Sequence, residues 1–258
     1  MSRSLRLLFH VLFLLSGATA LVYQVTWLRN LSLIFGASFE ATSIVLAAFM
    51  AGLSAGGFVF ARRSERLSNA FAVYGLLELG IAVFALLVPA LLAALDRAYL
   101  AAALGSEAVT PGLNALRVAM ALVILFVPTF LMGATLPVLT RGLVDRFGDF
   151  GVRLSWLYGV NTLGAVLGAV TAGFLLMPAI GVWDSQLLAA ALNLAIGVAA
   201  IVGSRSGERG GASEVAASGG AERPAPPLSA AERRATQLAY WGTAVSGLCA
   251  LALEVMWT

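Results

Sequence analysis

Residues Ser16–Trp27 read SGATALVYQVTW, and residues Ser246–Trp257 read SGLCALALEVMW. The two segments share an initial Ser-Gly pair, a final Trp and three apolar positions between them, all at one constant offset. A Ser-Gly pair and a Trp at fixed spacing are unusual matches in so apolar a chain, so they indicate an internal repeat. We predict that a second copy of the first unit begins near residue 235. The sequence stops at Thr258, inside the first helix of that copy, and we expect it to be a fragment of a longer protein.

The composition indicates an integral membrane protein. Hydrophobic residues make up 60% of the chain and charged residues only 11%, against about 25% charged residues in a typical soluble domain. All basic residues are Arg, and they lie between apolar stretches rather than forming a nucleic-acid-binding patch. The lone His10 and the lone Cys249 cannot build a metal cluster. We therefore predict the lipid bilayer as a partner, with no nucleic acid, metal or cofactor bound by this stretch.

Six apolar stretches are long enough to cross a membrane, for which about 20 residues are needed. They are residues 7–28, 40–61, 71–95, 116–139, 155–179 and 183–203, and a seventh begins near 236. The shortest break, Gly181–Ser185, predicts a tight hairpin between the fifth and sixth spans.

The Arg residues predict the topology. Thirteen of the sixteen fall on the side of the N-terminus, and only Arg29, Arg97 and Arg117 fall on the other side. Basic loops are retained in the cytoplasm. We therefore predict that the N-terminus is cytoplasmic.

The predicted organisation has three parts: a six-helix transmembrane repeat (1–203), a flexible cytoplasmic linker (204–234) and the first helix of a truncated second repeat (235–258). The linker is rich in Gly, Ala, Ser, Pro and mixed charge, which is typical of a flexible segment. Six spans and a cytoplasmic linker bring the second repeat in with the orientation of the first, which is the parallel-repeat layout of the major facilitator superfamily (MFS). The predicted fold class is an all-α membrane protein with a six-helix MFS-like half. A shared Gly-Ala-Thr at 17–19 and 133–135 also hints at an inverted repeat of three helices within this half.

Polar side chains inside the spans are the candidate binding residues, and Glu78 in the third span is the most informative of them. An ionisable residue inside a membrane span is a functional-site hypothesis, although a structural carboxylate bonded to a neighbouring helix is an equal alternative. Such a carboxylate must be neutral or paired, and no Arg lies at its depth. We expect its partner to be a neutral polar group such as Asn161, or an incoming cation. For Asn161 itself, hydrogen bonding between helices is the other interpretation.

Further binding candidates lie near the end of the first span: Tyr23, Gln24 and Trp27. The aromatic pair predicts either a belt at the membrane interface or an aromatic and polar mouth for a cation. Gln24 attracts a cation less strongly than Glu254, its counterpart in the second copy, which is also a candidate. His10, one turn inside the span, is expected to extend toward the interface.

Two Gly-x-x-x-Gly spacings predict close helix packing. They are Gly52 with Gly56 in the second span and Gly164 with Gly168 in the fifth. Small residues let helices approach closely in lipid, and a role in rocking motions is the alternative.

No catalytic residue is predicted. Dinucleotide-binding, phosphate-binding, zinc-protease and serine-hydrolase motifs are all absent from the sequence.

Four segments resemble a bacterial family, the fused MFS/spermidine synthases. They are Leu15–Arg66, YGLLELGIAVFALLVP (74–89), FLMGATLPVLTR (130–141) and LYGVNTLGAVLGAVTAGFLLMPAIG (157–181), of which the last two are the most specific. The family commonly has Glu where this chain has Gln24, and an Asp-Arg pair where this chain has Glu65-Arg66.

The resemblance implies a multi-pass protein of the bacterial inner membrane in which a Rossmann-type aminopropyltransferase domain follows the helices. That domain would act on putrescine and decarboxylated S-adenosylmethionine to form spermidine. The present stretch would then be the N-terminal membrane region of a polyamine aminopropyltransferase-like protein, acting as an anchor and as a polyamine conduit. The alternative is a free-standing MFS-like transporter or scaffold half with no link to catalysis.

Overall fold

The computed structural model describes residues 3–35, 38–104, 111–143 and 150–211, together with Arg234 and Gln237. Over these residues the chain is helical except at the short connection 67–69, which agrees with the predicted all-α class. The helices are α1 (Arg3–Phe35), α2 (Ser38–Arg63), α3 (Ala70–Leu104), α4 (Pro111–Leu143), α5 (Phe150–Thr171) and α6 (Met177–Gly211). A 3₁₀ turn, Ser64–Arg66, follows α2, and a π-helical turn, Ala172–Leu176, joins α5 to α6.

Five stretches of helix in the described part of the chain are long and apolar enough to cross a membrane. They are Ser4–Phe35, Phe39–Arg66, Ala70–Ala103, Ala115–Leu143 and Leu154–Arg205. Many large apolar side chains on them are exposed, as lipid-facing side chains are.

The last of these stretches is 52 residues long, more than twice the length that one crossing needs. Its helical path is broken at Gly181, whose φ of 83° and ψ of 173° are not helical. Glycine adopts a positive φ without the steric cost that a Cβ brings. The break lies at the start of the hairpin predicted at Gly181–Ser185.

Helix α6 extends into the segment predicted as the linker. Residues 204–211 are helical and continue α6 to Gly211, the last described residue of this helix. Residues Met1–Gly211 form one compact unit. In the second unit, Ala212–Thr258, only Arg234 and Gln237 are described, so the predicted second repeat and Glu254 lie outside the described residues.

Most of the extensive contacts join helices that are not consecutive in the chain, with the α3–α4 contact as an exception. Helix α1 packs on α5 and α6, α4 packs on α2 and α3, and α3 packs on α6. If the labels of α1 and α4 are exchanged, and likewise those of α2 and α5 and of α3 and α6, the same set of contacting helix pairs results. The contact pattern therefore has the form of a two-fold relation between the first three helices and the last three.

Glycines mark equivalent positions in these pairs. A Cβ on Gly164 would overlap the backbone carbonyl of Leu14, and a Cβ on Gly56 would overlap the backbone carbonyl of Phe130. Leu14 and Phe130 both stand three residues before a Gly-Ala-Thr tripeptide, one in α1 and one in α4. The α1–α5 and α2–α4 contacts therefore use the same local sequence.

Two hydrophobic clusters form the core of this unit. One contains Tyr23, Trp27 and Phe49, and the other contains Phe13 and Tyr74. A layer of buried polar side chains lies between them along the helices, and this layer positions the candidate site: Ser16, Thr19, Glu78, Thr135 and Asn193.

Candidate functional site

Glu78 on α3 lies at the centre of the polar layer and is fully buried. The Ser16 hydroxyl of α1 donates a hydrogen bond to its Oε1 at 2.6 Å. The Asn193 side-chain amide of α6 donates another to its Oε2 at 2.5 Å. The carboxyl group therefore joins three helices through neutral partners. The expected partner Asn161 is replaced by Ser16 and Asn193, because α6 rather than α5 packs against α3.

Asn193 extends this network to the aromatic residues of α1. Its Oδ1 accepts a hydrogen bond from the Tyr23 hydroxyl at 3.1 Å. The Tyr23 ring stacks on Trp27, with 5.4 Å between ring centroids and 15° between ring planes. Trp27 in turn lies 5.7 Å from the Phe49 ring of α2.

The interpretation of Tyr23 and Trp27 as an interfacial belt is wrong, because both side chains are fully buried inside the helical unit. Burial follows from their position on the face of α1 that packs on α6 and α2. The Trp27 indole nitrogen has no hydrogen-bond partner among the described residues.

Tyr74, one turn before Glu78 on α3, is a further buried neighbour of the carboxyl group. Its hydroxyl lies beside Glu78 and Ser16 but forms no well-aligned hydrogen bond with any residue that the structure describes. Its ring packs edge-on against Phe9 and Phe13 of α1. The immediate surroundings of Glu78 are thus hydroxyls, an amide and aromatic rings.

A cavity of about 40 Å³ adjoins this network. All six helices contribute to its wall, which consists of Ser16, Thr19, Ala20, Leu53, Ile81, Met132, Thr135, Asn161 and Asn193. Two of these residues, Ser16 and Asn193, also hold the carboxyl group of Glu78. Glu78 therefore lies directly behind the polar part of the cavity wall.

The remaining polar candidates occupy different positions. Asn161 lines the cavity on α5 and lies against Gly17 of α1, where an added Cβ would meet its side-chain oxygen at 2.8 Å. Gln24 is half-buried on α1 and does not line the cavity. The His10 ring hydrogen-bonds the Arg6 carbonyl of its own helix at 2.6 Å, well away from Glu78.

The predicted packing glycines all lie in contacts between helices. Gly52 faces Thr129 and Gly56 faces Phe130, both on α4. A Cβ on Gly168 would overlap the backbone carbonyl of Ala18 on α1. These glycines bring α2 and α5 close enough to α4 and α1 to enclose the cavity.

Arg117 on α4 forms a second polar cluster away from the cavity. Its guanidinium donates to the Ile34 carbonyl and to Asp96 Oδ1, the latter at 3.3 Å. The guanidinium carbon also lies 4.1 Å from the centre of the Tyr99 ring. At 1.5 Å per residue, Asp96 is about 27 Å along α3 from Glu78, so this cluster joins helix ends and does not neutralise Glu78.

Sequence reasoning did not assign Ser16, Thr19, Tyr74 or Thr135 to the site. A signal existed for three of them. Thr19 and Thr135 are the last residues of the two Gly-Ala-Thr tripeptides, and both line the cavity. Tyr74 stands four residues before Glu78 in the predicted third span, so the i,i+4 spacing of a helix was the signal that could have found it.

Comparisons with known proteins identify relatives of one kind. Over 188 residues the chain is 30% identical to the polyamine aminopropyltransferases of Mycobacterium tuberculosis, strains CDC 1551 / Oshkosh and ATCC 25618 / H37Rv. The same figures hold for the polyamine aminopropyltransferase of Mycobacterium bovis. The matched region is 69% of this chain and 32% of each relative, so the chain spans about a third of the length of the curated relatives it matches. No family model matches the chain, and no solved structure matches it significantly.

Proposed function

We propose that this chain is the membrane-embedded N-terminal region of a polyamine aminopropyltransferase-like protein, which it anchors in the bacterial inner membrane. We further propose that its central cavity binds a polyamine. The similarity to polyamine aminopropyltransferases and the apolar helices support the first part. The observation that carries the second part is the buried carboxyl group of Glu78, which has only neutral hydrogen-bond partners beside a polar cavity.

The proposed architecture has six membrane spans in an MFS-like half. The 52-residue helical stretch, broken at Gly181, supports two crossings within Leu154–Arg205. The two-fold pattern of helix contacts supports inverted repeats of three helices. Transporters of this design place the substrate site near the repeat interface, and Thr19 and Thr135, at equivalent positions of the two proposed repeats, both line the cavity.

The cavity wall is chemically uneven, and this unevenness supports an alkylammonium ligand. Ser16, Asn161 and Asn193 provide hydroxyl and amide groups, whereas Leu53, Ile81 and Met132 provide apolar ones. A primary ammonium group donates three hydrogen bonds, which suits the polar groups. Its methylene chain suits the apolar residues.

The size of the cavity restricts what enters it in this conformation. One water molecule needs about 10–15 Å³ measured in this way, so 40 Å³ holds a few water molecules or one ammonium group with its first methylenes. A polyamine would therefore insert one terminal amine, and passage of the whole molecule requires the helices to move apart. The conduit role is accordingly proposed for a second, more open conformation.

Thermal unfolding of the purified chain with and without spermidine tests the proposal. Ligand at one hundred times its Kd stabilises the folded state by about 2.7 kcal/mol, so spermidine should raise the Tm of the wild type. Glu78→Gln keeps the shape of the side chain but loses its charge, and it should abolish this rise.

Glu65→Gln is the matched control, because Glu65 is an exposed carboxylate on the 3₁₀ turn, and it should respond as the wild type does. Sodium chloride at matched ionic strength controls for screening. A folded Glu78→Gln variant that still responds fully to spermidine would contradict polyamine binding at Glu78. If spermidine does not raise the Tm of the wild type, while Glu78→Gln is as stable as the wild type and Glu78→Ala is destabilised, Glu78 is structural and the polyamine proposal is wrong.

A further inference from the structure

We propose that the cavity exchanges a proton for the amine: Glu78 carries a proton when the cavity is empty and releases it when an ammonium group binds. This inference rests on the proposed function, because it takes a cationic amine as the ligand. It adds a coupled proton movement that neither the similarity to known proteins nor the binding proposal contains.

The first argument is the lack of a neutralising charge. Among the described residues, no Arg or His side chain contacts Glu78, and the ion pair of Arg117 with Asp96 lies far along the helix. An isolated charge inside a membrane-spanning unit is costly. Protonation removes this cost while the cavity holds no cation.

The second argument is the hydrogen-bond pattern, which offers a position for the proton on Oε1. The Asn193 Oδ1 accepts from the Tyr23 hydroxyl, so its amide nitrogen is the atom that faces Glu78. An amide NH₂ only donates, so in this orientation of Asn193 the Oε2 atom is an acceptor. The proton belongs on Oε1, 2.6 Å from the Ser16 hydroxyl.

Ser16 gives that proton a route to the cavity. A hydroxyl both donates and accepts hydrogen bonds, so Ser16 can accept from a protonated Oε1 and donate to it when it is ionised. Ser16 also lines the cavity, where a water molecule can receive the proton. The same side chain thus contacts both the acid and the space that the amine would enter.

The exchange balances in charge and atoms. An ammonium group and a protonated Glu78 become an ammonium–carboxylate pair and one proton released to water. The buried site gains one positive charge from the amine and one negative charge from Glu78, so its net charge stays at zero. The amine is not consumed and no covalent bond to carbon or nitrogen changes.

Other titratable groups near the site are two neutral phenols. Tyr23 faces the site from α1, and Tyr74 lies on α3 beside Glu78 itself. The groups that α4, α5 and α6 contribute to the adjoining wall and network, Thr135, Asn161 and Asn193, do not titrate. Glu78 is therefore the group that we expect to set the pH dependence of binding.

Proton release during binding is the direct test. Spermidine is added to the purified full chain in weakly buffered solution containing a pH indicator, well below the pKa of an alkylamine, about 10, so that the ligand enters fully protonated. We expect close to one proton released per bound spermidine in the wild type and in Glu65→Gln, and none in Glu78→Gln.

Calorimetry of the unmodified chain provides a measurement that needs no variant. Over the range in which Glu78 of the free protein is protonated, the affinity for spermidine should rise close to tenfold per pH unit. Its binding enthalpy should depend on the ionisation enthalpy of the buffer. Spermidine binding with pH-independent affinity and no proton release would overturn the exchange but leave the proposed function intact. Absence of spermidine binding at every pH would overturn both.

Discussion

Asn193 is the residue on which the buried network depends. Its amide contacts Glu78 on α3 and Tyr23 on α1, so one side chain of α6 satisfies polar groups on two other helices. A buried polar group that loses its partner keeps its desolvation cost. Removal of Asn193 therefore leaves two such groups rather than one.

Asn193→Ala should lower the free energy of unfolding by about 1–2 kcal/mol, within the range measured for hydrogen bonds between membrane helices. Thr162→Ala is the matched control, because the exposed Thr162 hydroxyl bonds only the Tyr158 carbonyl of its own helix. Denaturant or thermal unfolding in detergent measures both. Equal stability of the two variants would show that the network is energetically unimportant.

The sequence predicted Glu78 as a candidate residue but did not predict its partners, Ser16 and Asn193. Glu78 is conspicuous because a carboxylate is rare in an apolar span. Its choice of Asn193 over Asn161 depends on which helix packs against α3, and nothing local to either Asn encodes that. Tyr23 and Trp27 sit where an interfacial belt is common, yet packing against α6 and α2 buries them.

The helices themselves follow from composition, whereas their pairing follows from small residues. Apolar length predicts where a span lies but not its neighbour, since every face of such a helix is hydrophobic. Glycine spacing predicted part of the helix pairing. Gly164 and Gly168 both lie where α5 meets the α1 backbone. Helix ends were the least predictable, and α3 continues to Leu104 because its Ala- and Leu-rich C-terminal part favours helix.

Gly168→Leu should destabilise the protein, because a branched side chain would separate the α1 and α5 backbones at Ala18. Overpacking of a close contact typically costs about 1–3 kcal/mol, and we expect a loss of about that size in detergent. Val166→Leu, at an exposed position of the same helix, is the control and should be nearly neutral. If both variants melt at the same temperature, α5 does not depend on this close contact.

For the whole molecule, the number of crossings decides the topology. Six crossings place the N-terminus and the chain after α6 on the same side, whereas five place them on opposite sides. The Arg distribution favours six, with both ends in the cytoplasm. We expect reporter fusions at Ser2 and Gly219 to report the cytoplasm and an insertion at Gly181 to report the opposite side. A cytoplasmic signal at Gly181, or opposite signals at Ser2 and Gly219, would exclude the six-span arrangement.

The pairing of α1 with the last two helices has a consequence for biosynthesis. Tyr23 and its partner Asn193 are 170 residues apart. At about 5–20 residues per second, the ribosome takes roughly 10–30 s to deliver α6 after α1 has emerged. Throughout that interval the Tyr23 hydroxyl lacks its final partner in a solvent where unsatisfied polar groups are costly. The polar link between α1 and α6 therefore forms only after the whole helical unit has been synthesised, so α1 reaches its final packing late in biosynthesis.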